Sequence, residues 1–183
     1  MDVIVACEFS GIVRDAFIAK GHNAVSCDLL ESELPGPHIQ GDIKDIDLSK
    51  YDLMIAHPPC TYLAVSGNRW NKYEYRKKLQ QEALNFVQFL MDAPVNKIAI
   101  ENPISVISSR IRKPDQIVQP WWFGHGETKA TCLWLKNLPK LQPTNIVEGR
   151  KARVHREPPS DTRWMERSRT YTGLAKAMAE QWT

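Results

Sequence analysis

The sequence predicts an α/β protein in which a mostly parallel sheet is covered by helices on both faces and closed by a β-hairpin. Three observations carry this. Residues 2–7, 23–27, 51–56 and 97–100 are almost continuously apolar, as strands buried on both faces should be. Amphipathic segments alternate with them, which is the rhythm of βαβ units. At 183 residues and 43% hydrophobic content, the chain suits a single domain (1–183), large enough to bury roughly two thirds of its unfolded surface.

Taken in order, residues 2–7 are rich in Val and Ile and lead through Glu8-Phe9-Ser10-Gly11 into an amphipathic segment, 12–20, that stops at Gly21. The next strand, 23–27, ends at Asp28, and a loop with Pro35 and Pro37 leads to Gly41-Asp42-Ile43. Residues 51–56 form a third strand, followed by a crossover helix over 73–92. Its Leu79, Ala83, Phe86, Val87 and Leu90 recur at helical spacing as the inward face. Residues 97–100 are the next buried strand. Beyond Pro114, residues 116–123 and 128–135 read as a terminal hairpin around Gly124-His125-Gly126. Residues 138–160, with Pro139, Pro143, Pro158 and Pro159, read as loop, and 172–182 as a closing helix capped by Thr170 or Thr172.

Composition narrows the function classes. Cys7, Cys27, Cys60 and Cys132 lie far apart, with no CxxC spacing, so neither a zinc cluster nor a disulfide framework is expected. The N-terminus has no basic stretch ahead of its apolar residues, and nothing approaches the ~18 apolar residues of a membrane span. The expectation is a cytoplasmic protein with free thiols, no metal and no membrane partner. The net charge is only +3, but 149–169 holds seven Lys/Arg against three Asp/Glu. Such a cluster is either a solvated face or a set of phosphate contacts for nucleic acid.

Ligands of parallel sheets gather at the carboxyl ends of the strands, and Glu8, Asp28, Asp42, Cys60 and Glu101 all fall there. His57-Pro58-Pro59-Cys60 puts a thiol on a rigid turn, outside any strand. Glu101-Asn102-Pro103 ends a later apolar strand with a carboxylate, where an unpartnered charge would be costly. Cys7, Cys27 and Cys132 fit inert buried positions, and His57 and His125 satisfied structural ones.

The order and content of these segments resemble the C5 cytosine DNA methyltransferases. Glu8-Phe9-Ser10-Gly11 resembles the family's cofactor loop, Asp28-Leu29 the acidic end of its second strand, and Gly41-Asp42-Ile43 its adenine-contacting loop. Pro58-Pro59-Cys60 resembles the nucleophile loop and Glu101-Asn102-Pro103 the glutamate motif. Phe123-Gly124 with Lys129 resembles the arginine-bearing hairpin, and Tyr171-Thr172-Gly173 the last cofactor motif. The resemblance implies a Rossmann-like S-adenosylmethionine-dependent methyltransferase fold and the family's reaction at cytosine C5. There the Cys60 thiolate adds to C6, Glu101 holds or protonates N3, and Lys129 supplies a cation that lowers the thiol pKa. It further implies S-adenosylmethionine held by Glu8, Phe9, Ser10, Gly11, Asp28, Leu29, Asp42, Ile43, Pro58 and Gly173. Gly11 would admit the methionine part, Asp28 would accept from ribose and Asp42 from the adenine amino group.

Departures from the family pattern bear on the substrate. Ile12-Val13 follow Gly11 in place of a second glycine, Thr61 replaces a glutamine, and Leu174 an asparagine. Glu127, Lys129 and Thr131 replace the hairpin's glutamine and two arginines, leaving one cation. Only about thirty-five residues, 136–170, stand where the family inserts a target-recognition domain. A basic loop over 138–170 is expected instead, with Arg150, Lys151, Arg153, Arg156 and Arg163 as phosphate contacts and short or weak sequence specificity on DNA. A target base in duplex would have to be flipped out. Compact enzymes of this kind resemble those of phages, where broad methylation counters restriction. Three alternatives stay open: a free deoxycytidylate C5-modifying enzyme, an amino-methyltransferase, and a catalytically silent nucleic-acid-binding relative.

Overall fold

The computed structural model describes residues 1–65, 73–156, 158 and 160–183. Strands β1 (Asp2–Ala6), β2 (Asn23–Asp28), β3 (His38–Gln40), β4 (Leu53–Ala56), β5 (Lys97–Pro103), β6 (Gln116–Val118) and β7 (Thr131–Lys136) form one sheet in the order β3-β2-β1-β4-β5-β7-β6. The first five run parallel, and β7 is antiparallel to both β5 and β6. The result is a seven-stranded, mostly parallel α/β sheet compatible with a Rossmann-like fold. The chain winds outward from β1 to β3 and resumes on the other side of β1 with β4, so the winding reverses between β1 and β4. That reversal opens a crevice at the carboxyl ends of both strands.

The period-2 geometry of strands explains why their sequences are apolar throughout. Ile4 and Ala6, Met54 and Ala56, and Ile98 and Ile100 enter one core, while Val3 and Val5, Leu53 and Ile55, and Ala99 enter the other. Helix α2 (Glu74–Met91) covers the first core with Leu84, Val87 and Leu90. Helices α1 (Ile12–Ala19) and α6 (Thr172–Gln181) cover the second with Val13, Phe17, Leu174, Ala175 and Met178. The described residues also hold the short helices α3 (Ile107–Arg110), α4 (Arg153–Arg156) and α5 (Arg163–Ser168).

Several expectations need correction. The three-residue β3 lies in a stretch expected to be loop; it pairs with β2 although it has no apolar run of its own. Strand β5 continues to Pro103, so Glu101 sits within it, opposite Leu133 of β7, rather than at its end. The hairpin is present, but β6 stops at Val118 because Pro120 starts a 3-10 turn over Pro120–Trp122. The buried face of α2 is centred on Gln80, Leu84, Val87 and Leu90, rotated from the expected stripe. The stretch 138–170 is not a plain loop, since it holds α4 and α5 and is tied to the β6–β7 connection. Main-chain bonds run from Gly124 N to Asn145 O, from Thr128 N to Lys151 O and from Lys151 N to Gly126 O. Glu157 and Pro159 of that stretch lie outside the described residues. Among the described residues, no helix is long and apolar enough to cross a membrane and no cluster could hold a metal ion.

One buried cation organises the N-terminal edge. Arg14 of α1 is fully buried; its guanidinium pairs with Asp15 at 2.7 Å and donates to Ser26 and Ser32 hydroxyls and to the Leu34 and Pro35 carbonyls. It thereby holds the loop between β2 and β3 against the sheet.

Candidate active site

The β1 to β4 crevice begins at Cys7, whose φ of 57° is left-handed, a conformation that costs an L-residue about 1–2 kcal/mol. The turn lets Glu8 N bond Cys27 O. A cavity of about 230 Å³ opens here, lined by Cys7, Cys27, Asp28, Leu29, Gly41, Asp42, Ile43, Lys44, Pro59 and Phe86. Four of the expected cofactor residues, Asp28, Leu29, Asp42 and Ile43, therefore meet in one concave site. Asp28 and Asp42 each use Oδ1 to accept an amide of their own turn, Leu30 N and Lys44 N, both at 3.0 Å. Neither Oδ2 has a hydrogen bond among the described residues. The walls are apolar, with Ile43, Pro59 and Phe86, and the Lys44 ammonium stands 5.3 Å from the Phe86 ring centre. Burial pushes the Cys27 thiol up to about 11, with Asp28 and Asp42 adding to the shift, and it pushes Cys7 up further. Both thiols stay protonated and serve as wall.

The second part of the site joins two neighbouring strands. Strand β4 ends in His57-Pro58-Pro59-Cys60, and β5 carries Glu101-Asn102. Asn102 Nδ2 donates to Pro58 O at 2.8 Å, fixing the turn against β5 from 44 residues away in sequence. His57 Nδ1 lies 2.7 Å from Glu101 Oε2, with the two side chains only 12% and 10% exposed. Among the described residues, neither enclosed ring nitrogen makes a conventional hydrogen bond. The contact is therefore best described as a buried ion pair. Glu101 Oε2 also accepts from the Thr170 hydroxyl at 3.2 Å, while Oε1 has no hydrogen bond among the described residues.

Electrostatics make this pair a charged one. Burial alone would raise the Glu101 carboxyl, but the imidazole of His57, the Lys129 ammonium and the Thr170 hydroxyl outweigh it and bring the value down to about 2. For His57, burial opposes the charge, yet Glu101, with a smaller pull from Glu8, raises the imidazole above its ordinary value despite Lys129. Cys60 is exposed beside them. Its thiol is nevertheless raised, because desolvation around the sulfur exceeds the downward pull of Lys129 and Arg167. The expected lowering by Lys129 is thus present but outweighed.

Lys129 is anchored. Its Nζ donates to Arg167 O at 2.8 Å and Arg169 O at 3.2 Å and lies over the Tyr171 ring. With His125, Glu127, Arg153, Arg169 and Thr170, it lines a second cavity of about 240 Å³. Tyr171 donates to Glu127 at 2.6 Å, and Arg153 pairs with Glu127 at 3.0 Å. Since Pro59 lines the first cavity and Thr170 the second, the Cys60 turn and Glu101 lie between two concave surfaces.

Other expected site residues are placed differently. Glu8 is buried and accepts from Val13 N, Arg14 N and the Ser10 hydroxyl, closing the start of α1. Phe9 packs against Trp164 of α5, with ring centres 5.6 Å apart. Gly11 has φ +74°, and a Cβ there would lie 2.5 Å from the Arg14 guanidinium, so the close approach it permits is taken by Arg14. Pro58 is buried and offers only its carbonyl, to Asn102. Gly173 lets α6 abut the β6–β7 connection, since a Cβ would stand 1.8 Å from Phe123 O, and its N–H donates to His125 Nε2. Of the basic residues, Arg153 is ion-paired, Arg150 lies 3.8 Å from the Trp121 ring centre, and Arg163 is half-buried. Lys151 and Arg156 are exposed.

Three residues of the site carried no sequence signal of their own role. His57 read as a structural histidine, Thr170 as a helix cap, and Phe86 as core. Only the flanking of Cys60 by His57 on a strand-end turn hinted at the first. The chain matches no family model and no curated protein.

Proposed function

We propose that this protein is a DNA cytosine-5 methyltransferase that works through a covalent bond from Cys60. The observation that carries the reading is the joining of the turn after β4 to the adjacent strand β5. An exposed cysteine on the β4 turn and a buried, ionised glutamate on β5 are locked together by Asn102 and Pro58, beside a cavity with two half-engaged carboxylates.

Cytosine C5 is too poor a nucleophile to take a methyl group unaided, so the reaction needs covalent activation. Cys60, which is exposed, gives its proton to solvent and adds through Sγ to C6, and Glu101, facing N3, offsets the charge that reaches the ring. The fixed turn and the Asn102 tie hold nucleophile and carboxylate in one geometry. The first cavity suits the nucleoside part of S-adenosylmethionine: Asp28 and Asp42 each keep one oxygen to accept from ribose hydroxyls or an adenine amino group, and Ile43 and Phe86 would flank the base. Held there, that cofactor would supply an electrophilic methyl group to C5, and the C5 proton must then pass to a base before Cys60 is released. Exposed Lys151 and Arg156 are suited to phosphates of the substrate strand, and the short 138–170 segment favours low sequence specificity.

Incubation with 5-fluorocytosine DNA and S-adenosylmethionine tests the reading, because fluorine at C5 blocks release of the enzyme. A stable adduct that maps to Cys60 and vanishes in Cys60→Ser is expected. No adduct, or methyl transfer that survives Cys60→Ser, would overturn it. Labelled methyl transfer to DNA and to free dCMP, measured side by side, distinguishes the polymer from the nucleotide as substrate.

A further inference from the structure

The β4 turn carries one group that the reaction above leaves unused. His57 is enclosed, its Nδ1 is 2.7 Å from Glu101 Oε2, and its Nε2 has no partner among the described residues. A histidine kept only for packing would direct its ring nitrogens to backbone carbonyls or hydroxyls, as buried polar groups generally do. Here the ring is turned instead toward the carboxylate that must meet the pyrimidine.

The need for such a group follows from the charge on Glu101. A carboxylate cannot donate a proton to N3, and two acceptors facing each other repel. The pair as a whole holds one proton and can give it up.

We propose that His57 is the positioning residue that stores the proton delivered to the substrate ring, and that Glu101 passes it on. This rests on the covalent pyrimidine reading. In the step, the Cys60 thiolate forms the Sγ–C6 bond. The C5–C6 π pair becomes the C4–C5 π pair, and the C4–N3 π pair becomes a lone pair on N3, which takes the proton held by the His57 and Glu101 pair. The negative charge of the thiolate and the positive charge of the imidazolium disappear together, so the adduct forms with Glu101 still ionised, His57 neutral and the ring neutral. Release of Cys60 returns the proton by the reverse path. The charged groups facing His57 are Glu101 from β5, Glu8 from the turn after β1 and Lys129 from the β6–β7 connection. Two of the three favour the imidazolium, and Glu101 dominates.

The step requires imidazolium and thiolate together, so the wild-type rate of adduct formation should stop rising with pH as His57 loses its proton and fall at alkaline pH once the Cys60 thiol is ionised as well. His57→Asn keeps a donor near the position of Nδ1 but carries no titratable proton. It should form the 5-fluorocytosine adduct about 100-fold more slowly at neutral pH and should lose that alkaline limb, and His57→Gln should behave likewise. A second measurement does not depend on turnover. In a histidine NMR titration of the wild type, with His57→Asn identifying the resonance, His57 should stay protonated above the ordinary histidine range and return toward it in Glu101→Gln. A wild type that traps DNA while His57→Asn keeps both rate and pH profile would overturn the role of His57 alone. So would a His57 resonance that Glu101→Gln does not move. A wild type that forms no adduct would overturn the parent reading, and this one with it.

Discussion

Among the described residues, two carboxylates are buried at the carboxyl side of the sheet, and their partners differ in kind. Glu8, after β1, accepts from two main-chain amides and a serine hydroxyl, Val13 N, Arg14 N and Ser10. None of these donors can titrate, and all belong to the turn and first residues of α1. Glu101, in β5, is held by a histidine, a threonine and the field of a lysine. One of its partners can change charge near neutral pH, and among the described residues its Oε1 is left without a hydrogen bond. The first arrangement builds a helix start; the second sets a titratable partner against a carboxylate beside the crevice. Burial of a charge therefore does not by itself mark a reactive group, and the chemistry of the partners does.

Replacing each glutamate by glutamine should separate the two roles most strongly. Glu101→Gln should slow adduct formation by about 10²–10⁴-fold, and its cost in stability is limited because His57 can shed its proton and need not remain as an unpaired buried charge. Glu8→Gln puts an amide group against main-chain N–H donors and forfeits charge-assisted bonds worth about 1.5–3 kcal/mol each. Urea unfolding should show that loss, while adduct formation per folded molecule stays within about tenfold. Equal stability losses with equal loss of trapping would erase the distinction.

The difference between the carboxylates was only partly legible in the sequence. The four apolar runs are strands because burial on both faces leaves no room for alternation, and a charge at Glu101, set in such a run, announces that something must offset it. What offsets it could not be read, because His57 reaches it across adjacent strands and Thr170 comes from 69 residues further on. The first loop misled for the opposite reason. Glu8, Ser10 and Gly11 have the composition of a ligand loop, yet their polar atoms and close approach are taken up by α1 and Arg14. β3 was invisible because it has only three residues and borrows its strand identity from β2. The Asp28 and Asp42 positions were legible because the ends of parallel strands and the loops just beyond them line the crevice, and both residues fall there.

A weaker contrast is expected in the pH dependence of stability. The folded Glu101 carboxyl lies near 2 against an ordinary 4.5, so its contribution is complete above 4.5 and is lost as pH falls from there toward 2. His57 is raised above an ordinary 6.5, so its contribution is complete below 6.5 and is lost as pH rises through its folded value. Stability from the pair should therefore be greatest between about 4.5 and 6.5 and decline on both sides. Chemical unfolding across pH should show both limbs in the wild type. Glu101→Gln should flatten both, since the carboxyl is gone and His57 has lost the dominant charge that raises it. Persistence of the alkaline limb in that variant would mean that another group, not the pair, carries it.

The smallest effect separates support from charge. Thr170 contributes one neutral hydroxyl to Glu101 Oε2, at 3.2 Å, from the residue that also lines the second cavity. Thr170→Val keeps the branched shape and removes only the donor, so the cost should be that of one hydrogen bond to a charged group, about 1.5–3 kcal/mol at most. The imidazolium of His57 remains beside the same oxygen, which should hold the actual loss near the lower end. Adduct formation should slow by only a few-fold, since the proton stays in the pair, and the alkaline limb of its pH profile should stay where the wild type has it. A shifted limb would instead mean that the threonine hydroxyl, and not the histidine, sets the protonation of Glu101. The two partners of that oxygen would then have to exchange the roles given to them here.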